Sequence, residues 1–109
     1  MDVVSIPTLA EDQLTVATAA PSGRSAIRVY GRPTAGLRQT LLALDAGSKL
    51  GEHKSPGDAS LHCLQGQVTV HAGEASIELR QGDLLALPPQ RHDVEAHEPS
   101  VLLLTVSLH

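Results

Sequence analysis

Eight short apolar stretches follow one helix-like segment along the 109-residue chain. Apolar and polar residues alternate in most of them, with the period of two that is typical of half-buried strands. Clusters rich in Gly, Pro and Asp separate the stretches and indicate turns. Short strands with turns at this density predict an all-β sandwich or barrel. The predicted strands cover residues 26–30, 37–44, 59–64, 68–71, 75–79, 84–87, 92–96 and 101–108.

The segment before these strands predicts one short helix over residues 8–20. Thr8 is expected to cap its N-terminus, with Glu11 three residues later completing a capping box. Pro21 and Gly23 are expected to end it. The predicted organisation is an N-terminal extension with this helix, residues 1–24, followed by a β-barrel, residues 25–109, with a turn over residues 31–36.

Two predicted strands are apolar on both faces. These are "VLLLTV", residues 101–106, and "TLLAL", residues 40–44. Such strands must be covered on both sides, whereas a barrel interior accepts only alternate residues. The N-terminal helix is one possible cover and a second subunit is the other, so the chain is expected to form a homodimer.

Composition excludes several classes of function. The formal net charge is -4 and the eight basic residues are scattered, which argues against binding nucleic acid. No apolar run approaches the ~20 residues that span a bilayer, and no secretory signal is evident. Cys63 is the single cysteine, which predicts a buried, inert thiol without a disulfide. The expected location is the cytoplasm.

Two spaced motifs carry the chemistry. In the first, Gly47 is followed by five residues and His53, and the stretch closes on Gly66. The second is "GDLLALPPQRH", which runs from residue 82 to His92 and precedes the apolar C-terminal strands. Together they resemble the two-part motif of the cupins, and the local sequence is similar to small single-domain bacterial cupins of unassigned function. The resemblance implies a single-domain jelly-roll β-barrel with a short N-terminal helix.

Metal-binding cupins take two His and one Glu from the first motif and one His from the second. By this resemblance His53 matches the first ligand, whereas Ser55 replaces the second His and Ala59 replaces the Glu. His92 matches the last ligand, although it follows Pro88 one residue earlier than usual.

In the second motif Gly82 and Pro88 match the pattern, while Gln90 replaces a Gly. Two imidazoles without a carboxylate bind a divalent ion weakly. The expected cofactor is therefore none, or a weakly bound divalent metal. His62 is a further candidate ligand, although strand alternation places it on the face opposite Ala59.

The expected ligand pocket combines His53, Ser55 and His92. The favoured function is a small-molecule binding or sensing module with a degenerate metal site. The alternative is a metal-dependent cupin enzyme, a dioxygenase or isomerase, with a rebuilt ligand set. A structural or interaction protein is a third class. His71, His97 and His109 are expected to be exposed.

Overall fold

The computed structural model describes residues 1–32, 34 and 36–108. All eight predicted strands are present, with bounds that differ by two residues at most. The predicted turn over residues 31–36 lies partly outside the described residues, and His109 lies wholly outside them. The elements are α1 (Ile6–Ala19), β1 (Arg24–Tyr30), β2 (Leu37–Leu44), β3 (Asp58–Gln65), β4 (Gln67–Ala72), β5 (Ala75–Arg80), β6 (Leu84–Ala86), β7 (His92–Ala96) and β8 (Ser100–Ser107).

The strands form two antiparallel sheets. One has the order β1-β2-β8-β3-β6 and the other the order β5-β4-β7. The sheets enclose the core as an open jelly roll, so the predicted all-β fold is confirmed although the sheets do not close into one barrel. The segment 47–53 runs antiparallel along β7, with backbone hydrogen bonds at Gly47, Leu50 and His53.

The core lies between the sheets and is built from alternate residues. On β2 the inward side chains are Leu42 and Leu44, and on β8 Leu102 is fully buried among them. Leu and Val fill this space without Phe or Trp. Cys63 belongs to the same cluster, so its predicted burial is confirmed.

Helix α1 covers the outer face of the larger sheet. Ala10 packs there against Leu41 of β2 and Val101 of β8, both completely buried. The helix therefore provides part of the cover that the two-sided apolar strands require. Across the described residues, no helix combines the length and apolar character needed to span a bilayer.

The start of α1 differs from the prediction. The N-cap is Ser5, not Thr8, and the side chain of Ser5 accepts a hydrogen bond from the backbone N–H of Thr8 at 3.4 Å. Pro7 lies in the first turn, where its missing N–H is not needed. Glu11 therefore falls beyond the first turn and forms no capping box. The C-terminus of α1 agrees with the prediction, because Ala20 is the C-cap and Pro21 follows it.

Candidate functional site

The backbone itself brings His53 and His92 together. The N–H of His53 donates to the carbonyl of His92 at 3.0 Å, and the N–H of His92 donates to the carbonyl of His53 at 2.9 Å. This isolated bridge ends the ladder between the segment 47–53 and β7. Two residues 39 positions apart in the sequence are thus held as direct neighbours.

The two imidazole rings touch. Their centroids lie 4.4 Å apart and their planes meet at 68°, which is a T-shaped contact. Ring nitrogens more than ~8 Å apart would exclude a shared centre, since metal–nitrogen bonds are only ~2.0–2.1 Å. Rings in contact lie inside that limit, so the predicted proximity of the two side chains is present in the structure.

Both rings are oriented by backbone carbonyls. His53 Nδ1 lies 3.0 Å from the carbonyl oxygen of Gly51, and His92 Nδ1 lies 3.1 Å from that of Gln90. A carbonyl oxygen only accepts, so each neutral ring carries its proton on Nδ1 and donates it there. Nε2 of each ring is left as a hydrogen-bond acceptor.

The Nε2 atom of His92 is the unusual feature of the site. His92 is only 1% exposed, and this atom has no hydrogen-bond partner among the protein's described atoms. His92 shares the inward face of β7 with Val94 and Ala96, which belong to the core. An acceptor in such surroundings costs ~1–3 kcal/mol when it is left unpaired.

The positions that replace metal ligands supply no third ligand. Ala59 lies on the same face of β3 as the buried Leu61 and carries no donor atom. Ser55 lines a shallow depression with Asp58 and Pro89, and neither imidazole lines that depression. Within residues 1–32, 34 and 36–108, no three His, Cys, Asp or Glu side chains form a group suited to a metal ion.

His62 lies on the other face of β3. It alternates with Leu61 and Cys63, which point into the core, and it pairs across the sheet with Leu103, which packs on the helix side. Regular alternation continues through this part of the strand, as expected from the sequence. The structure therefore does not bring His62 to the imidazole pair.

Of the remaining histidines, His97 is exposed as predicted. His71 is only partly exposed, which differs from the prediction, because Nδ1 bonds to Ser76 Oγ at 2.9 Å and Nε2 lies 3.6 Å from Glu95. Both side chains lie on the outer face of the smaller sheet, where polar neighbours are available.

Sequence reasoning missed the groups that orient the rings. These are the backbone carbonyls of Gly51 and Gln90, which any residue type would supply, so no sequence signal marked them. Asp93 also escaped notice: its carboxylate accepts from the N–H of Gly51 at 2.9 Å and fixes the segment that carries His53.

Comparison with known proteins identifies the fold. The sequence matches no protein-family model, and no curated protein matches it significantly. Among solved structures, a cupin superfamily protein from Desulfitobacterium hafniense is similar with a TM-score of 0.75 and 16% identity, covering 88% of this chain and 87% of that one.

Two further solved structures have a similar fold. A conserved protein of unknown function from Streptococcus pyogenes has a TM-score of 0.72 at 25% identity, covering 83% of this chain and 78% of its own. KdgF from Halomonas sp. has a TM-score of 0.71 at 22% identity, covering 84% of each chain. The likeness is one of fold, since identity is low in every case.

Proposed function

Because this chain has the cupin fold, we propose that it is a small-molecule binding module whose recognition group is the pair His53 and His92. The single observation that carries the proposal is the buried, unpaired Nε2 of His92. A ligand that donates a hydrogen bond to this atom removes the penalty of ~1–3 kcal/mol that the unliganded protein bears. The free energy recovered in this way favours the bound state.

A resident metal fits the side chains poorly. A catalytic zinc site uses three protein ligands and one open position, whereas this pair contributes two neutral nitrogens. No carboxylate joins them in a metal-sized group among the described residues. Divalent metal is therefore expected to bind weakly.

One observation favours the alternative of a metal-dependent enzyme. Metal-binding histidines are typically oriented by a backbone carbonyl or carboxylate on the second ring nitrogen. Both imidazoles have this arrangement, through Gly51 and Gln90. The same arrangement equally orients Nε2 toward a hydrogen-bond donor, and the missing ligands favour the binding module.

Nuclear magnetic resonance of the imidazole nitrogens tests the proposal. Metal-free, untagged ¹⁵N-labelled protein is titrated with small alcohols, diols and primary amides. We expect the Nε2 resonance of His92 to shift with at least one class of compound, and the accompanying shifts of neighbouring backbone amides to be absent in His92→Phe. His97→Phe is the matched control, because His97 is exposed and contacts Thr69 on the outer face of the smaller sheet, opposite the inward face that carries His92.

Two results would overturn the proposal. One is an Nε2 resonance that stays unchanged with every compound class. The other is a stoichiometric metal ion in protein purified without a tag, which would support the enzyme instead.

A further inference from the structure

An apolar groove opens along β4 and β5, next to the strand that carries His92. It is lined by Val70, Ala72, Ala75, Ile77, Leu85 and Pro88, and we call it the side groove. Its volume is about 380 Å³. Aliphatic side chains from β4, β5 and β6 make up most of its wall.

The side groove exists because β5 is an edge strand. Ile77 lies on the same face of β5 as Leu79, which is buried in the core. Ile77 is nevertheless 51% exposed, since β5 pairs only with β4 in the described sheet. An inward-facing isoleucine is therefore open to solvent at the rim of the core.

Two contacts link the side groove to His92. Ala72 of the groove is the register partner of His92 across β4 and β7. Side chains of such a pair stand on one face, with Cβ atoms ~4.5–5.5 Å apart. Gln90 also borders the groove, and its carbonyl accepts the Nδ1–H of His92. The apolar groove thus borders on the neighbours of His92, the residue that carries the buried acceptor.

We infer that the ligand is a compact amphipathic molecule with a short aliphatic body and a neutral hydrogen-bond-donating head. The body lies in the side groove and a hydroxyl head donates to Nε2 of His92. This inference rests on the proposed function and deepens it by naming the ligand class. The groove volume is near the lower end of the ~300–1,000 Å³ typical of ligand sites, which suits a short chain.

The chemistry of the head follows from the ring. Nε2 accepts in the neutral imidazole, so a carboxylate head would place one acceptor against another. An ammonium head donates, but no Asp or Glu among the described residues joins the two rings in a ligating group to balance its charge. Burying an unbalanced charge is costly, which favours the neutral hydroxyl.

A series of straight-chain alcohols tests the inference. Metal-free protein is titrated with 1-butanol, 1-pentanol and 1-hexanol, while backbone amides and imidazole nitrogens are followed by magnetic resonance. Each methylene that enters the groove should strengthen binding by up to about fourfold, since burying one contributes ~0.8 kcal/mol. Hexanoate and hexylamine should bind about tenfold more weakly than 1-hexanol.

A matched pair of variants locates the body. Ile77→Ala should weaken 1-hexanol binding by about fivefold, because it removes apolar surface from the groove. Leu84→Ala should leave it unchanged: Leu84 is also exposed, at 67%, but it does not line the groove.

The outcomes separate this inference from the proposed function. One outcome is that the Nε2 resonance of His92 shifts with polar alcohols while the binding affinity depends neither on chain length nor on Ile77→Ala. That result overturns the assignment of the aliphatic body to the side groove, and the proposed function stands. If groove amides shift while Nε2 does not, the assignment of the head is overturned and the proposed function loses support. Absence of any shift up to the solubility limit of 1-hexanol overturns the inference alone, because diols and amides test the imidazole pair separately.

Discussion

His53 and His92 exchange two backbone hydrogen bonds, of 3.0 and 2.9 Å, and their rings touch edge to face. The bridge fixes the backbone of both residues, and the carbonyls of Gly51 and Gln90 hold the two rings. A ligand therefore meets a preformed pair, and little ordering entropy opposes binding.

Replacing His92 should stabilise the protein while abolishing ligand binding. His92→Phe removes the unpaired acceptor, worth ~1–3 kcal/mol, and loses one hydrogen bond to Gln90, worth ~0.5–1.5 kcal/mol. We expect the free energy of unfolding to rise by about 1 kcal/mol in urea denaturation. His97→Phe should change it by less than about 0.5 kcal/mol. A clear loss of stability in His92→Phe would show that Nε2 is satisfied in solution.

Restoring the missing ligands should create a metal site. We expect Ser55→His combined with Ala59→Glu to raise zinc and nickel affinity by about tenfold or more, chiefly because a carboxylate at position 59, on the inward face of β3, balances the charge of a metal held by the imidazole pair. Calorimetric titration of both proteins measures this change, and Ala59→Gln with Ser55→His tests the carboxylate charge. Submicromolar binding of one metal per wild-type chain would contradict the degenerate site. It would support the hypothesis that another residue, such as His62, serves as a metal ligand.

The homodimer expected from the sequence remains a prediction, and the structure suggests which surface would form its interface. Helix α1 covers Leu41 and Val101, whereas Leu84 on β6 is 67% exposed beside its strand partner His62. We expect association through this uncovered part of the larger sheet, and Leu84→Glu to shift the protein to monomers in light scattering. Val16→Glu, at a 51% exposed position on the helix, is the control. Wild-type monomers at micromolar concentration would reject the dimer.

Cys63 should contribute to loss of stability in alkaline solution. Burial is the largest cause that raises the pKa of this thiol, and the charges of Asp83 and Glu98 raise it further. The unfolded thiol therefore ionises first, above about pH 8.5, and ionisation favours the unfolded chain. This contribution is fully present below that pH and is lost as the pH rises through the folded pKa.

Urea denaturation at several pH values between about 7 and 10 measures the effect. We expect Cys63→Ala to lose less stability than the wild type over this interval. Equal losses in both proteins would show that Cys63 ionisation has no part in the alkaline destabilisation.

Local sequence determined the strands, because alternation and turn residues act over a few positions. All eight strands were predicted correctly, including β2 and β7 with their observed bounds. The resemblance of the two motifs to cupins is confirmed for the fold by the structural neighbours. The helix was predicted with the wrong N-cap, since Ser5 and Thr8 are both good capping residues and only the packing of α1 on the sheet selects one.

From the sequence, the resemblance to the cupins predicted that His53 and His92 lie together and that Ser55 and Ala59 stand where two metal ligands are expected. Tertiary structure alone decided the rest. It places Ser55 in a separate depression and leaves His92 Nε2 buried without a partner. It also opens the side groove at Ile77, because sheet order makes β5 an edge strand. These features depend on contacts between residues far apart in the chain, and alternation along one strand carries no information about them.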